Sequence, residues 1–239
     1  MDKQRYFTIF SMIAFGSRDT LEHSISPLIG TLGDLDSLKE KILSDLKEKP
    51  VEAPEEILKS LDFEAFEKAR LGYHSVGVSL IICCSELIKK IAGDRASANK
   101  HFGMTSQKAF EFYRLGPRIN CVPWAEGVVC ASNYVRHDDE WQELVNPISK
   151  KEDGVSFNIS YKDLNWDEQV ATFPEDAKRN VTTLKSAGIP YESFLKHSSM
   201  AGFEIAKVLS LSEKEKTLAL FDEWVTAVVK DLQNNLGIK

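Results

Sequence analysis

One short stretch of the chain, residues 124–141, combines side chains whose types and spacing could do chemistry. On a helix, residues three or four positions apart lie on the same face. Asn133 and His137 are four positions apart, and Glu140 follows His137 by three. The spacing therefore predicts an amide, an imidazole and a carboxylate on one helix face, with the guanidinium of Arg136 at its edge.

These groups are suited to reactions at a phosphodiester. An imidazole that titrates near neutrality can act as a general base or acid, and a guanidinium can hold a phosphate through two parallel hydrogen bonds. An amide can orient a substrate oxygen or select the imidazole tautomer. Cleavage of RNA by its own 2′-hydroxyl needs only such a set and no metal. The candidate catalytic residues are His137, Asn133 and Arg136, and the candidate substrate-binding residues are Ser132, Glu140 and Trp141.

The same stretch also admits a purely structural interpretation. Asn133 and His137 could hydrogen-bond to buried backbone groups, while the acidic run 138–140 forms a solvated surface. Motifs of this length recur by chance in unrelated proteins. An imidazole beside an accessible groove would favour chemistry, whereas an imidazole sealed in the core would favour structure.

The sequence indicates no metal or cofactor site. His101 and His137, with the acidic run 138–140, lack the H-E-x-x-H or comparable spacing of a metal centre. Glycine-rich phosphate loops of the G-x-x-x-x-G-K-[ST] and G-x-G-x-x-G types do not occur. The cysteines have no C-x-x-C spacing and lie in apolar stretches, so we expect reduced thiols buried as small hydrophobes. They are Cys83, Cys84, Cys121 and Cys130.

The charge of the chain is concentrated in one segment. The segment from Asp34 to Glu67 contains eleven acidic residues and five lysines, which accounts for the whole formal net charge of −6. The remaining residues hold 25 acids and 25 bases, which supplies no broad positive surface of the kind that general nucleic-acid binders use. The rest of the chain is neutral as a whole and could still contain a local basic site. The acidic segment could bind a basic protein partner.

Hydrophobic periodicity predicts the helices that would hold the candidate groups in place. The strongest signal, residues 62–92, corresponds to about 45 Å of helix at 1.5 Å per residue. Its wide apolar stripe is typical of the central helix of a bundle, and Gly93 would end it. A helix over 122–144 would carry the candidate site. Separate helices are predicted over 6–16 and 34–46.

The chain as a whole, residues 1–239, predicts a single all-α domain: a multi-helix bundle with one long central helix. Residues 155–161 alternate between apolar and polar side chains, which is typical of a strand. One strand cannot satisfy its backbone alone. The small β excursion near 150–165 could therefore be a hairpin, a strand paired between chains, or an extended loop.

The chain offers no signal for a membrane or an export pathway. Its apolar runs fall short of the ~20 residues of a membrane-spanning helix. The apolar run 6–15 follows two basic residues, but no clean cleavage site follows it. We therefore expect a cytoplasmic protein with no membrane partner.

The stretch Ser132-Asn-Tyr-Val-Arg-His137 resembles the active-site helix of HEPN-domain proteins, a helical-bundle family common in prokaryotic defence and toxin–antitoxin systems. Their signature is an Arg, then usually a polar residue such as Asn, then a His a few residues later. Asn133 and His137 match this pattern, and Ser132 stands at the Arg position. The N-x-x-[KR]-H form of many relatives is similar to residues 133–137. The stretch 85–90 is similar to the E-x-x-x-K stretch of an earlier helix in these proteins.

The resemblance covers about residues 62–145 and implies a metal-independent RNase or RNA-binding protein. It also implies a homodimer in which the two motif helices face each other. RNA would then be the partner, and no cofactor would be needed. A non-catalytic helical module that binds a protein partner stays an open alternative. So does an enzyme of an unrelated class, since helical bundles host many functions.

Overall fold

The computed structural model describes residues 2–48, 55–105, 108–137, 170–190 and 201–238. Within these ranges the helices are α1 (Lys3–Glu48), α2 (Glu55–His101), α3 (Ala109–Phe112), α4 (Trp124–Arg136), α5 (Glu175–Ser186), α6 (Ala201–Val208) and α7 (Lys214–Leu236). Two short strands are β1 (Arg118–Ile119) and β2 (Val122–Pro123). The predicted all-α multi-helix bundle is confirmed. No helix in the described part of the chain is long and apolar enough to cross a membrane.

The predicted long central helix is α2, which packs against α1, α3, α4, α6 and α7. Its innermost residues have no exposed surface, namely Leu80, Ile81, Cys84 and Ile88. The helix continues past Gly93, where the sequence predicted its end, because the turn that follows is also buried, at Arg95, Ala98 and Asn99. Packing of this turn offsets the cost of about 1 kcal/mol that glycine imposes inside a helix.

α1 is one helix of 46 residues, whereas the sequence predicted two separate N-terminal helices. It runs through Pro27, which removes one backbone donor from the helix. The helix persists because Leu21, Ile25 and Leu32 are buried on both sides of the proline. These residues face a bundle in which α1 packs against α2 and α7. Tertiary packing therefore outweighs the local helix-breaking tendency.

A small hairpin precedes α4, and the sequence did not predict it. Residues 118–119 pair antiparallel with 122–123. The turn holds Asn120 at a φ of 53°, a left-handed conformation that asparagine tolerates. The amide of Asn120 donates to the carbonyl of Ala187 at 2.7 Å, which ties the hairpin to the end of α5. The strand predicted at 155–161 lies outside the described residues.

A buried ion pair joins α2 to α7. Arg95 is 0% exposed, and its guanidinium donates to the Asp231 carboxylate at 2.5 and 3.0 Å. Asn99 accepts a further hydrogen bond from Arg95, and the guanidinium carbon lies 4.7 Å from the ring centre of Phe112 in α3. An unpaired buried guanidinium would cost several kcal/mol. These contacts must therefore form as α2, α3 and α7 come together.

α2 and α6 cross in backbone contact at two glycines. A Cβ on Gly77 would lie 2.4 Å from the carbonyl of Gly202, and a Cβ on Gly202 would lie 2.7 Å from the carbonyl oxygen of His74. The backbone N–H of Gly202 also donates to Nδ1 of His74 at 3.2 Å, so this imidazole has a structural role. The crossing therefore requires both glycines.

We expect Gly77→Ala to lower the free energy of unfolding by about 1–3 kcal/mol, because the new methyl group meets backbone that cannot move aside. Gly93→Ala on the same helix is the matched control, since a Cβ there meets no atom within 4 Å. That control should raise the free energy of unfolding by about 0.5–1 kcal/mol. Urea denaturation measures both, and equal effects would contradict the close crossing.

Candidate functional site

α4 is held in the core along most of its length. Trp124, its first residue, is 0% exposed and donates its indole N–H to the carbonyl of Leu209 at 3.0 Å. Val128 and Ala131, one and two turns further on, are also fully buried, and the helix packs against both α2 and α5. α4 reaches solvent at its C-terminal end, so chemistry involving this helix must take place there.

The end of α4 differs from the sequence prediction. The helix ends at Arg136, eight residues before the predicted end at 144, and His137 is the C-cap residue. The backbone N–H of His137 donates to the carbonyl of Tyr134 at 3.2 Å, a tight bond of the kind that closes a last turn. His137 therefore lies just beyond the last helical residue, four positions after Asn133. His137 is nevertheless exposed and not sealed in the core.

Ser132, a candidate substrate-binding residue, lies in the interior. It is 0% exposed, and its hydroxyl has no hydrogen-bond partner among the described residues. A side chain in this place does not reach a molecule bound at the surface. In the resemblance to HEPN-domain proteins this serine stands at the position of the Arg, and its burial disfavours a charged guanidinium there. The two other candidates, Glu140 and Trp141, lie outside the described residues.

Two side-chain contacts join the exposed end of α4 to α2. Oε1 of Glu86 lies 2.6 Å from Nη2 of Arg136, and Nζ of Lys89 donates to Oδ1 of Asn133 at 3.4 Å. Glu86 precedes Lys89 on α2, whereas its partner Arg136 follows Asn133 on α4, so the two helices run antiparallel here. His137 follows directly at the end of α4. We name these five residues the α2–α4 edge.

Glu86 belongs to the stretch that the sequence analysis compared with the E-x-x-x-K motif, whereas Lys89 is a candidate that sequence reasoning missed. The E-x-x-x-K spacing pairs Glu86 with Lys90, but Lys90 is exposed and Lys89 makes the contact with α4. A signal was nevertheless present in the spacing. Glu86 and Lys89 are three positions apart, as are Asn133 and Arg136. Two antiparallel helices can therefore satisfy both cross-helix contacts at once.

The α2–α4 edge holds two side-chain cations and one carboxylate. Burial lowers the pKa of Lys89, the positive charge of Arg136 lowers it further, and the carboxylate of Glu86 opposes the shift. The side chains of Arg136 and Glu86 are 41% and 55% exposed, and an ion pair this exposed contributes at most about 1 kcal/mol to folding. Such a weak pair can open, and a phosphate could replace Glu86 as the partner of Arg136.

Metal chemistry has no support in the described ranges, where no group of three or more His, Cys, Asp or Glu side chains could hold an ion.

Burial raises the pKa of Cys130 to about 11 and also raises the pKa of Cys84, so both thiols stay protonated in the core, as expected. Cys121 is exposed, contrary to expectation, because it lies in the hairpin turn. Its thiol lies 3.4 Å from the carbonyl oxygen of Ser186.

The charge coupling within the α2–α4 edge can be measured through Lys89. We expect Arg136→Gln to raise the pKa of Lys89, because a neighbouring positive charge is removed, and Glu86→Gln to lower it, because a favourable carboxylate is removed. An NMR titration of the labelled Lys89 ammonium group measures both shifts. Arg114→Gln is the matched control, since Arg114 pairs with Glu126 at 3.4 Å near the first turn of α4. If all three variants left the pKa unchanged, the contacts would not exist in solution.

Comparison with known proteins gives no family for this chain. No protein-family model, curated protein or solved structure matches it significantly. A functional conclusion must therefore rest on the geometry of the α2–α4 edge and on the resemblance of its two motif stretches.

Proposed function

We propose that this protein acts on RNA as a HEPN-like, metal-independent endoribonuclease of a prokaryotic defence or toxin–antitoxin system. The proposal is carried by the two contacts between α2 and α4, Glu86 with Arg136 and Lys89 with Asn133. They bring the two stretches that resemble HEPN motifs to one exposed edge, at whose end His137 lies. Cations, an amide and an imidazole are the groups that phosphodiester cleavage requires.

In the proposed reaction, the 2′-hydroxyl of RNA attacks the adjacent phosphorus while His137 takes the hydroxyl proton as general base. The bond from phosphorus to the 5′-oxygen breaks, and the leaving oxygen takes a proton from a general acid. Lys89 is suited to that role, because its lowered pKa makes its ammonium group a stronger acid than that of an ordinary lysine. The products are a 2′,3′-cyclic phosphate and a free 5′-hydroxyl.

Arg136 and Asn133 would position the phosphate. Arg136 would exchange the carboxylate of Glu86 for two phosphate oxygens, a bidentate pairing that adds strength and geometric specificity. Asn133 would donate its amide N–H to a phosphate or ribose oxygen while its Oδ1 accepts from Lys89. Because the positive charge at this edge is local and the chain as a whole has a net charge of −6, we expect the edge to bind a short single-stranded segment.

The HEPN resemblance adds a homodimer to the proposal, with the two copies of α4 facing each other across a two-fold axis. Packing restricts how such a dimer could form. The buried residues of α4 lie against α2 and α5, so a second chain could meet only its exposed C-terminal end. Two α2–α4 edges would then lie side by side in one composite site.

A second candidate function is a non-catalytic module that binds a protein partner. Two observations favour it: Arg136 is already paired with Glu86, and Ser132, at the family's Arg position, is buried. In that case the contacts of the α2–α4 edge would be structural. The acidic segment from Asp34 to Glu67 would then supply the docking surface for a basic partner.

We expect the purified protein to cleave single-stranded RNA in the presence of a chelator. His137→Ala should slow cleavage by about 10²–10⁴-fold, the contribution that general acid–base catalysis makes. Gel analysis of end-labelled RNA measures the rate, and mass spectrometry of the products identifies the 2′,3′-cyclic phosphate.

His23→Ala is the matched control for this experiment. His23 is exposed on α1, and its Nδ1 contacts the carbonyl of Asp19 within the same helix at 2.7 Å, so its loss should leave cleavage at the wild-type rate. Equal rates for wild type and His137→Ala would refute catalysis at the α2–α4 edge. Co-purification of a stoichiometric protein partner, unaffected by His137→Ala, would favour the binding module.

A further inference from the structure

A second feature of the molecule, separate from the α2–α4 edge, is a pocket of about 710 Å³ between α1, α2 and α6. Its volume falls within the range of about 300–1,000 Å³ that small-molecule sites occupy. Tyr73 lines it, and Tyr73 precedes Glu86 by 13 positions on α2. That separation is about 20 Å at 1.5 Å per residue, so the two features are independent.

One part of the pocket is apolar. Leu32 and Ala69 line it, and each is only 6% exposed. Ile29 contributes from α1 and Phe203 from α6. The ring of Phe203 lies 5.0 Å from that of Tyr73, at an interplanar angle of 51°. This wall would remove the apolar body of a ligand from water.

The other part of the pocket is charged and mainly positive. Among the residues that the structure describes, Lys39, Arg70 and Lys207 line it against one carboxylate, that of Asp36. The Asp36 carboxylate accepts a hydrogen bond from the Tyr73 hydroxyl at 2.5 Å, which partly satisfies it. Arg70 also contacts Glu67 at 3.3 Å, a residue that does not line the pocket.

The excess of positive side chains in the pocket is unusual for a chain whose net charge is −6. Lys39 and Lys207 are exposed, so they lie towards the mouth of the pocket, whereas Leu32 and Ala69 are buried. A concave site lined mainly by one sign of charge raises the local concentration of ligands of the opposite sign. The arrangement places positive charge outside and apolar surface inside.

We infer that the pocket binds an amphipathic anion, a molecule with an apolar body and a single carboxylate or phosphate head group. The apolar body packs on the wall formed by Leu32, Ala69 and Phe203. The head group faces Lys39 and Lys207 at the mouth. The Tyr73 hydroxyl donates a hydrogen bond to the Asp36 carboxylate, which weakens the repulsion between this carboxylate and the ligand.

Isothermal titration calorimetry with simple probes tests the ligand class. Octanoate and octyl phosphate should each bind at one site, and octylammonium should bind at least about tenfold more weakly, since its head group carries the charge of the lysines. The relative affinities of octanoate and octyl phosphate decide which head group the site prefers. Absence of binding by both anions, or equal binding of octylammonium, would overturn the inference.

Two pairs of variants locate the binding site. Lys207→Gln should weaken octanoate binding about tenfold through loss of a charge-assisted contact, whereas Lys230→Gln, at an exposed position on α7, should not. Gly33 lines the pocket, and a Cβ there meets no atom within 4 Å. Gly33→Leu, whose Cβ has room, should therefore place its side chain in part of the pocket and weaken octanoate binding by about tenfold or more.

Gly30→Leu is the control for the filling variant. Gly30 lies one turn earlier on α1, also has no atom within 4 Å of a Cβ, and is not part of the pocket lining. Both substitutions replace a helix glycine by a stronger helix former, so neither should reduce the folded fraction. If Gly33→Leu bound octanoate as tightly as Gly30→Leu, the ligand would not occupy this pocket.

Discussion

The burial of α2 on several sides is the constraint on which the rest of the structure depends. Five of the other helices pack against it, and its innermost residues have no exposed surface, namely Leu80, Ile81, Cys84 and Ile88. A polar group on such a helix must either be paired in the interior or lie at an edge. Arg95 is paired in the interior, with Asp231, Asn99 and the ring of Phe112 as partners. Glu86 and Lys89 lie at an edge.

This division explains where chemistry can occur in the bundle. Most of α4 is buried, and the hydrogen bond from the Trp124 indole to the carbonyl of Leu209 anchors its first turn. The helix reaches solvent where it meets the polar edge of α2. The requirements of the core therefore set the position of Asn133, Arg136 and His137 relative to Glu86. The candidate site is a product of helix packing, because its residues come from both α2 and α4.

Periodicity and local signals predicted much of the architecture. The apolar stripe over 62–92 predicted the long central helix that the structure shows as α2. Packing overrode the local signal at Gly93 and joined the two predicted N-terminal helices through Pro27, because buried residues beyond each position stabilise the continued helix.

The candidate site was predictable only in part. Asn133, Arg136 and His137 stand out by type and spacing, and they do lie near one another at the end of α4. The partnership with Glu86 and Lys89 depends on the register between two helices more than 40 residues apart in the chain, which periodicity does not specify. The burial of Ser132 likewise depends on which face of α4 meets its neighbours.

The most direct test of the central claim is an NMR titration with a short RNA whose 2′-O-methyl groups prevent cleavage. The signals to follow are the side-chain amide of Asn133, the Nε–H of Arg136 and the imidazole of His137. If the α2–α4 edge binds RNA, all three signals should show saturable shifts at one common dissociation constant. If these signals stayed unchanged at saturating RNA, or if only residues elsewhere in the bundle shifted, the α2–α4 edge would not be an RNA site.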